Sequence, residues 1–273
     1  MGLYMFYHYN RTFVIKIRNM SAAQKIALVT GGSRGLGKEM ALSLARKGID
    51  VIITYRANEE EASNVAASIQ QLGRKTAVLH LDMSQLQDLD QFINTLKDTL
   101  QTVWQSNSFD FLVNNAGMGA TVPFEQVTED LFDEFMNVHF KGVYFLTQKC
   151  IPFLNQGGRI INISSGTTRF SNPGYSVYAS MKGAIEVFTR YLAKELGTKG
   201  IAANVVAPGP IETDFNNAAI RNNPNMKGML SSLTPLGRVG TSEDIGGVVA
   251  FLCSEEGRWI NGQRIEVSGG INS

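Results

Sequence analysis

Apolar residues fall along this chain as short blocks separated by longer, mixed stretches. Ile26-Ala-Leu-Val29 is an unbroken apolar run that meets glycine within two residues, the pattern of a strand covered on both faces. Asp50–Thr54, Thr76–Leu81, Phe109–Val113, Arg159–Ile163, Ala203–Val206 and Gln263–Val267 read as six further strands. Between the blocks the period changes. Lys38–Lys47 reads as helical. Asn58–Leu72 places Val65, Ile69 and Leu72 on one face, and Leu86–Trp104 does the same with Leu89, Phe92, Ile93 and Leu96. Leu131–Leu154 reads as one long helix, Tyr178–Leu196 and Ser242–Leu252 as two more, and Ile211–Leu233 as polar and irregular. Strand–helix alternation without a linker-like break predicts a doubly wound α/β fold. It would be one domain over residues 21–273, with a parallel sheet of about seven strands and helices on both faces.

Composition narrows the class. Hydrophobic residues at 44% and charged residues at 18% suit a globular chain with a sizeable core. A net charge of +1 gives no electrostatic case for nucleic acid or an anionic membrane. No apolar run approaches the ~18 residues of a membrane span. Cys150 and Cys253 are far apart, without metal-ligand spacing or a disulfide framework, which fits a reducing, cytoplasmic setting. Residues 1–20 differ from the rest: Arg11, Lys16 and Arg18 have no acidic counterpart, and five residues are Tyr or Phe. They lack the apolar region and small-residue cleavage site of a signal peptide. They read as an extension without fixed structure, or as an over-long start before Met20. A targeting segment and a structured arm are the alternatives.

Candidate chemistry begins where the first strand ends. Thr30-Gly-Gly-Ser-Arg-Gly-Leu-Gly37 joins that strand to the helical stretch Lys38–Lys47. Glycines let a backbone approach a pyrophosphate, and a helix N-terminus offers N–H groups and positive potential. The alternative is a plain tight turn. At the end of the second strand, where an NAD site tends to carry an acid, this chain has Tyr55 and Arg56. With Arg34 in the loop, Arg56 can pair with a 2′-phosphate, so NADP(H) is expected and NAD(H) remains possible. Tyr178 and Lys182 stand one helical turn apart. A nearby cation favours a phenolate, which suits general acid–base work, although the pair alone reads as readily as a surface tyrosine and a solvated lysine. Ligands of such sheets bind beyond the carboxyl ends of the strands. Thr30, Arg56, Asp82, Asn114, Ser165 and Pro208-Gly209 fall there, and Asn137, Tyr178 and Lys182 could face the same crevice from helices.

Together, Thr30-Gly-x-x-x-Gly-x-Gly37, Asn114-Asn-Ala-Gly117, Asn137, Ser165, Tyr178-x-x-x-Lys182 and Pro208-Gly-Pro-Ile-Glu-Thr213 resemble the short-chain dehydrogenase/reductase family over residues 25–270. The resemblance implies a Rossmann fold and hydride transfer between a nicotinamide and a carbonyl/alcohol pair. It implies that Ser165 holds the substrate oxygen and that Tyr178 moves the proton. Lys182 would lower the tyrosine pKa and bind the nicotinamide ribose, and Asn137 would hold a relay water. It places the cofactor on Thr30, Gly31, Ser33, Arg34, Gly35, Leu36 and Gly37, then on Tyr55, Arg56, Asp82, Met83, Asn115, Ala116 and Gly117. Pro208, Gly209, Ile211 and Thr213 complete that set, with Tyr178 and Lys182. Asp82 and Asn115 would flank the adenosine, and Asn114 would hold strand ends together. No metal is implied.

Pro235-Leu-Gly-Arg-Val-Gly240 and Val267-Ser-Gly-Gly270 are similar to the tail of 3-oxoacyl-acyl-carrier-protein reductases. They suggest a small-molecule or acyl-thioester carbonyl substrate. Asn261-Gly262 and Val267-Ser268 depart from that pattern and leave the subfamily open. An NAD-dependent sugar or alcohol dehydrogenase is the competing enzyme, and a cofactor-binding regulator the competing non-enzyme. Bland readings also stand. Ser165 could satisfy a strand end, Asn137 could bond within its helix, Asp82 could be a turn residue and Thr213 could cap a lid helix. His80 and His139 read as structural. Met226, Met229, Leu230 and Leu233 read either as pocket lining or as a buried helix face. Family members pair long helices. The apolar excess of Phe132, Phe135, Met136, Val143 and Phe145 therefore points to a homotetramer.

Overall fold

The apolar blocks become the strands of one sheet. The computed structural model describes residues 24–272, so the predicted extension over residues 1–20 lies outside the described residues. The strands are β1 (Ile26–Val29), β2 (Asp50–Tyr55), β3 (Thr76–His80), β4 (Phe109–Asn114), β5 (Leu154–Ile163), β6 (Ala202–Pro208) and β7 (Arg264–Val267). All pairings are parallel, in the order β3-β2-β1-β4-β5-β6-β7. β1, β4 and β6 are buried along their whole length, because helices cover both faces. On one face Met40 and Leu44 of α1 (Gly35–Arg46), Val65 and Ile69 of α2 (Glu59–Gln71) and Ile245 and Val249 of α9 (Ser242–Leu252) close the core. On the other, α3 (Leu89–Thr99), α5 (Gly142–Cys150) and α6 (Ser176–Leu196) do so through Leu96, Leu146 and Ile185. Strand order reverses between β1 and β4, which opens a crevice at the carboxyl ends. Among the described residues no helix is long and apolar enough to cross a membrane.

Two expectations need correction. The helix predicted over Leu131–Leu154 is divided into α4 (Glu129–Met136), a wide π-turn over Asn137–Lys141, α5 and a 3-10 turn over Ile151–Phe153. Pro152 has no N–H to continue a helix, and Leu154 already opens β5. The stretch predicted irregular over Ile211–Leu233 contains the helix α8 (Pro224–Leu233), preceded by α7 (Phe215–Ala218), a turn rather than a regular helix because Asn216, Asn217 and Ala218 are left-handed. Asn223 starts α8 by accepting from Met226 N at 3.0 Å, with Pro224 in the first turn. Met226, Met229 and Leu233 are exposed rather than buried against the domain. Leu86–Trp104 is helical throughout, as expected, with α3 between a 3-10 turn and a closing π-turn.

Candidate active site

The glycine loop is sewn to the strand ends on either side of it. Thr30 Oγ1 accepts from the backbone N–H of Asn115 and of Ala116, both at 3.0 Å. Asn115 Nδ2 donates to the carbonyls of Thr30 (2.9 Å) and Gly31 (3.1 Å). From β2, Thr54 Oγ1 accepts from Gly31 N at 3.1 Å. Gly31 is left-handed (φ +64), and a Cβ at Gly37 would overlap the Gly31 carbonyl oxygen, so the helix can begin this close to the loop only as glycine. The N-terminus of α1 has no side-chain cap and no acid in its first turn. Its free N–H groups and positive end therefore face the loop without a partner, as an anion site requires. Ser33 and Leu36 complete the turn, with Leu36 leaning on the core. Arg34 and Arg56 are exposed, and neither takes part in an ion pair among the described residues. This cradle fits a dinucleotide.

The other predicted cofactor residues line the same crevice, with altered roles for some. Tyr55 ends β2 with its ring edge-on to His80 at 5.5 Å. Asp82 Oδ1 accepts from Ser84 N (2.9 Å) and Ser84 Oγ (2.8 Å), so it also builds the turn. The Met83 side chain is buried in the core, leaving only its backbone for a ligand. Asn115 was expected beside the adenosine, but its amide N–H groups are spent on the glycine loop. Asn114 ties strand and helix together, donating to Asn162 Oδ1 (2.8 Å) and Thr147 Oγ1 (3.0 Å). Gly117 lies over the His139 ring, and Ala116 lies behind Gly31. After Pro208, Gly209 N donates to Val267 O at 3.0 Å, and Ile211 bridges to Gly240. Thr213 is buried and accepts from Phe215 N at 3.2 Å, so it shapes the turn into α7.

Ser165, Tyr178 and Lys182 converge where β5 ends against α6. Lys182 is 5% exposed, and its Nζ donates to Ile163 O at 2.8 Å. Nζ stands 5.6 Å from the Tyr178 ring centre. Burial brings the Lys182 pKa down to about 8. Loss of water around the phenol pushes Tyr178 up to about 12; the Ser165 hydroxyl offsets part of this and Tyr175 adds to it. The lysine was expected to lower the tyrosine pKa, but in this crevice burial dominates and the net shift is upward. At neutral pH Tyr178 is a protonated acid beside a cation. Ser165 is extended, and its Oγ accepts from Thr167 N (3.2 Å) and Thr167 Oγ1 (3.0 Å). Its own hydrogen is left to donate.

Asn137 does not join this group. Phe135 and His139, one turn apart, both set their rings edge-on to Tyr178, at 6.5 and 5.2 Å. A residue midway between them points to the far side of the helix. His139 is 1% exposed, and its Nε2 lies 2.9 Å from Met118 O. Burial first, then the Lys182 charge, hold its pKa well below the ordinary histidine value, so the ring is neutral. Its Nδ1 has no partner among the described residues. The signal was present in the sequence: His139 is a polar residue on the stripe Phe135, Val138, His139, Val143 and Leu146, otherwise apolar. Tyr175 and Phe215 also flank Tyr178, at 6.4 and 6.0 Å. Asn216 Nδ2 reaches Thr121 Oγ1 (3.2 Å) and the Tyr175 hydroxyl (3.4 Å), which fastens the α7 segment over the tyrosine.

A phosphate cradle at a topological switch point, with tyrosine, lysine and serine beside it, defines a dinucleotide-dependent oxidoreductase acting on a carbonyl or alcohol. The model of the family described as enoyl-(acyl carrier protein) reductase matches residues 31–272. The hydroxynaphthalene reductase-like protein Arp2 of Metarhizium anisopliae is 36% identical over 261 residues, covering 92% of this chain and 96% of that protein. Tetrahydroxynaphthalene reductase PfmaG of Pestalotiopsis fici is 36% identical over 260 residues, 91% of each. The solved structure of angucycline C-6 ketoreductase LanV with bound NADP matches with a TM-score of 0.86 at 37% identity, covering 90% of this chain and 95% of that one. The chain belongs to the short-chain dehydrogenase/reductase family.

Proposed function

We propose that this chain is an NADPH-dependent ketoreductase that converts a ring-bearing ketone to its secondary alcohol. The observation that carries the reading is Tyr178, held protonated by burial next to the Lys182 cation. When bound, NADPH supplies the hydride at nicotinamide C4. Ser165 donates to the ketone oxygen and fixes its direction. Tyr178 gives its phenolic proton to that oxygen as charge develops there. Lys182 stabilises the phenolate left behind. The Gly31–Gly37 loop would hold the pyrophosphate, Arg34 and Arg56 the 2′-phosphate, and Lys182 the nicotinamide ribose. NADP bound to LanV supports the cofactor assignment.

Two observations support a ring-bearing substrate. The relatives carry names for hydroxynaphthalene, tetrahydroxynaphthalene and angucycline reductions. Around Tyr178 the walls are aromatic: Phe135, Tyr175 and Phe215. Flat rings stack on such walls, whereas a flexible acyl chain gains less from them. The Pro235–Gly240 pattern favours a 3-oxoacyl thioester instead, and that class is the competing arm of the test. Bicyclic aromatic ketones, simple cyclic ketones and a 3-oxoacyl thioester are offered with NADPH, and loss of nicotinamide absorbance is followed. The bicyclic ketones are expected to give the highest kcat/KM, and Tyr178→Phe to abolish turnover while keeping NADPH affinity. Preference for the thioester would overturn the substrate reading. Turnover surviving in Tyr178→Phe would overturn the chemistry.

A further inference from the structure

Ser165 lies between β5 and α6, in a loop with no long element of its own to hold it. Two hydroxyls in that loop are held by one atom. Ser164 Oγ and Thr168 Oγ1 each donate to Oε1 of Glu186, both at 2.7 Å. They bracket Ser165, one just before it and one three residues after. Glu186 follows Lys182 by one helical turn and Tyr178 by two, so the three share a stripe of α6. From β7, Arg264 completes the arrangement. Its Nε donates to the same Glu186 oxygen at 2.8 Å, and its Nη1 to Glu266 Oε2 at 2.9 Å. Its Nη2 reaches the Ser165 carbonyl at 3.3 Å and Thr168 Oγ1 at 3.1 Å. Both side chains are largely withdrawn from water, at 14% and 23% exposure.

We propose that Glu186, neutralised by Arg264, is the positioning residue that sets Ser165 against Tyr178. One rigid helix then carries the proton donor, its cation and the anchor of the hydrogen-bond donor. The spacing between Ser165 and Tyr178 is thereby fixed by α6 rather than by a loop. A buried ion pair is weak evidence of stabilisation, since desolvation offsets much of its attraction. Here, three of the groups that donate to this pair or receive from it belong to Ser164, Ser165 and Thr168. The Ser165 hydroxyl also holds down part of the rise in the Tyr178 pKa. A serine that drifts away should let the phenol rise further, with Lys182, His139 and Tyr175 still around it.

The inference rests on the proposed carbonyl chemistry, and a double-variant cycle separates the two. Ser165→Ala, Glu186→Ala, their combination, Glu186→Gln and Thr168→Val are compared. Measured are kcat and KM for ketone reduction, NADPH affinity by fluorescence, and the pH dependence of alcohol oxidation. Glu186→Ala should lower kcat about ten- to a hundredfold, the loss that about an ångström of misplacement produces, with NADPH affinity unchanged. It should move the alkaline limb of oxidation to higher pH. Glu186→Gln keeps an acceptor for both hydroxyls and should recover most of the loss. Thr168→Val, which removes one hydroxyl, should give a smaller loss of the same kind. In the Ser165→Ala background, Glu186→Ala should cost almost nothing more. Full multiplication of the two losses, or an unmoved pH limb, would overturn the proposal and leave the chemistry standing. Retained activity in Ser165→Ala would instead overturn the chemistry. If Glu186→Ala does not fold, Thr168→Val in the same cycle decides it: its loss should vanish in the Ser165→Ala background, and full multiplication there would overturn the proposal.

Discussion

Reversing the charge at Arg56 should reverse the cofactor preference. Arg56 directly follows β2, and its backbone carbonyl is fixed by His80 Nε2 at 2.9 Å, so the side chain leaves from a defined point. Arg34 leaves from the N-terminus of α1, where no acid in the first turn compensates the positive end of the helix. A hydrogen bond from an exposed guanidinium to a phosphate should contribute toward the low end of about 1.5–3 kcal/mol. A carboxylate in its place, at roughly 6 Å from a doubly charged phosphate in water, adds a repulsion of about 1 kcal/mol. Arg56→Asp should therefore weaken NADPH by about 2–3 kcal/mol, roughly a 30- to 150-fold change. NADH, with no 2′-phosphate, should change less than twofold. Fluorescence titration of both cofactors at low and moderate salt reads this directly. Wild-type NADPH affinity should fall more steeply with salt than NADH affinity, since the guanidiniums are exposed. Equal losses for the two cofactors, or none for NADPH, would mean that Arg56 points to solvent.

Other expectations follow from the same site. Ketone reduction needs the Lys182 cation, which is present below about pH 8 and lost above it, so the reduction rate should fall as pH rises through about 8; a profile falling between pH 6 and 7 would contradict this assignment. His139 is neutral there, so it should add no limb near pH 6.5. Asn137→Ala should leave turnover within about twofold, while His139→Ala, which removes the ring packed on Tyr178, should lower it more than about tenfold; the reverse order would restore Asn137 to the site. Of the apolar excess expected to pair helices, Phe135 and Val143 are instead buried in the core, while Phe132 and Phe145, with Tyr144, Val187 and Tyr191, are exposed on α4, α5 and α6. Such a patch on paired helices favours assembly, and light scattering should give a tetramer mass; a monomer at all concentrations would refute it.

How far the sequence carries depends on whether a feature is local. The strands were legible because burial on both faces leaves short, mostly apolar runs, unbroken in β1 and interrupted only by Asp110 before the end of β4 at Asn114. Tyr178, Lys182 and the glycine loop were legible because one turn of helix or one strand-to-helix turn contains each. The break at Asn137–Lys141 was not, because a π-turn needs no proline or glycine at its centre. That missed turn matters for placing Asn137 and His139, since both lie within it. The tie of Arg264 to Glu186 spans 78 residues and depends on β7 lying beside β6, which no local pattern encodes.

The charge states in the crevice bear on direction. One cause, withdrawal from water, acts on both Tyr178 and Lys182, but it acts oppositely because their charged forms lie on opposite sides of titration. The phenol is pushed up to about 12 and the ammonium down to about 8. Below pH 8 both therefore carry their protons, and the pair is set to give one away. A proton leaving Tyr178 creates the phenolate next to an ammonium already in place, in surroundings where their attraction is stronger than in water. The aromatic wall of Phe135, His139 and Phe215 thus has a chemical consequence besides shape. On the proposed chemistry, it keeps the acid protonated until Ser165 holds an oxygen able to take the proton. Oxidation must begin from the phenolate, which this burial disfavours. On the proposed chemistry, carbonyl reduction should therefore dominate below about pH 8 and alcohol oxidation should gain as pH rises, which rate profiles in both directions would read.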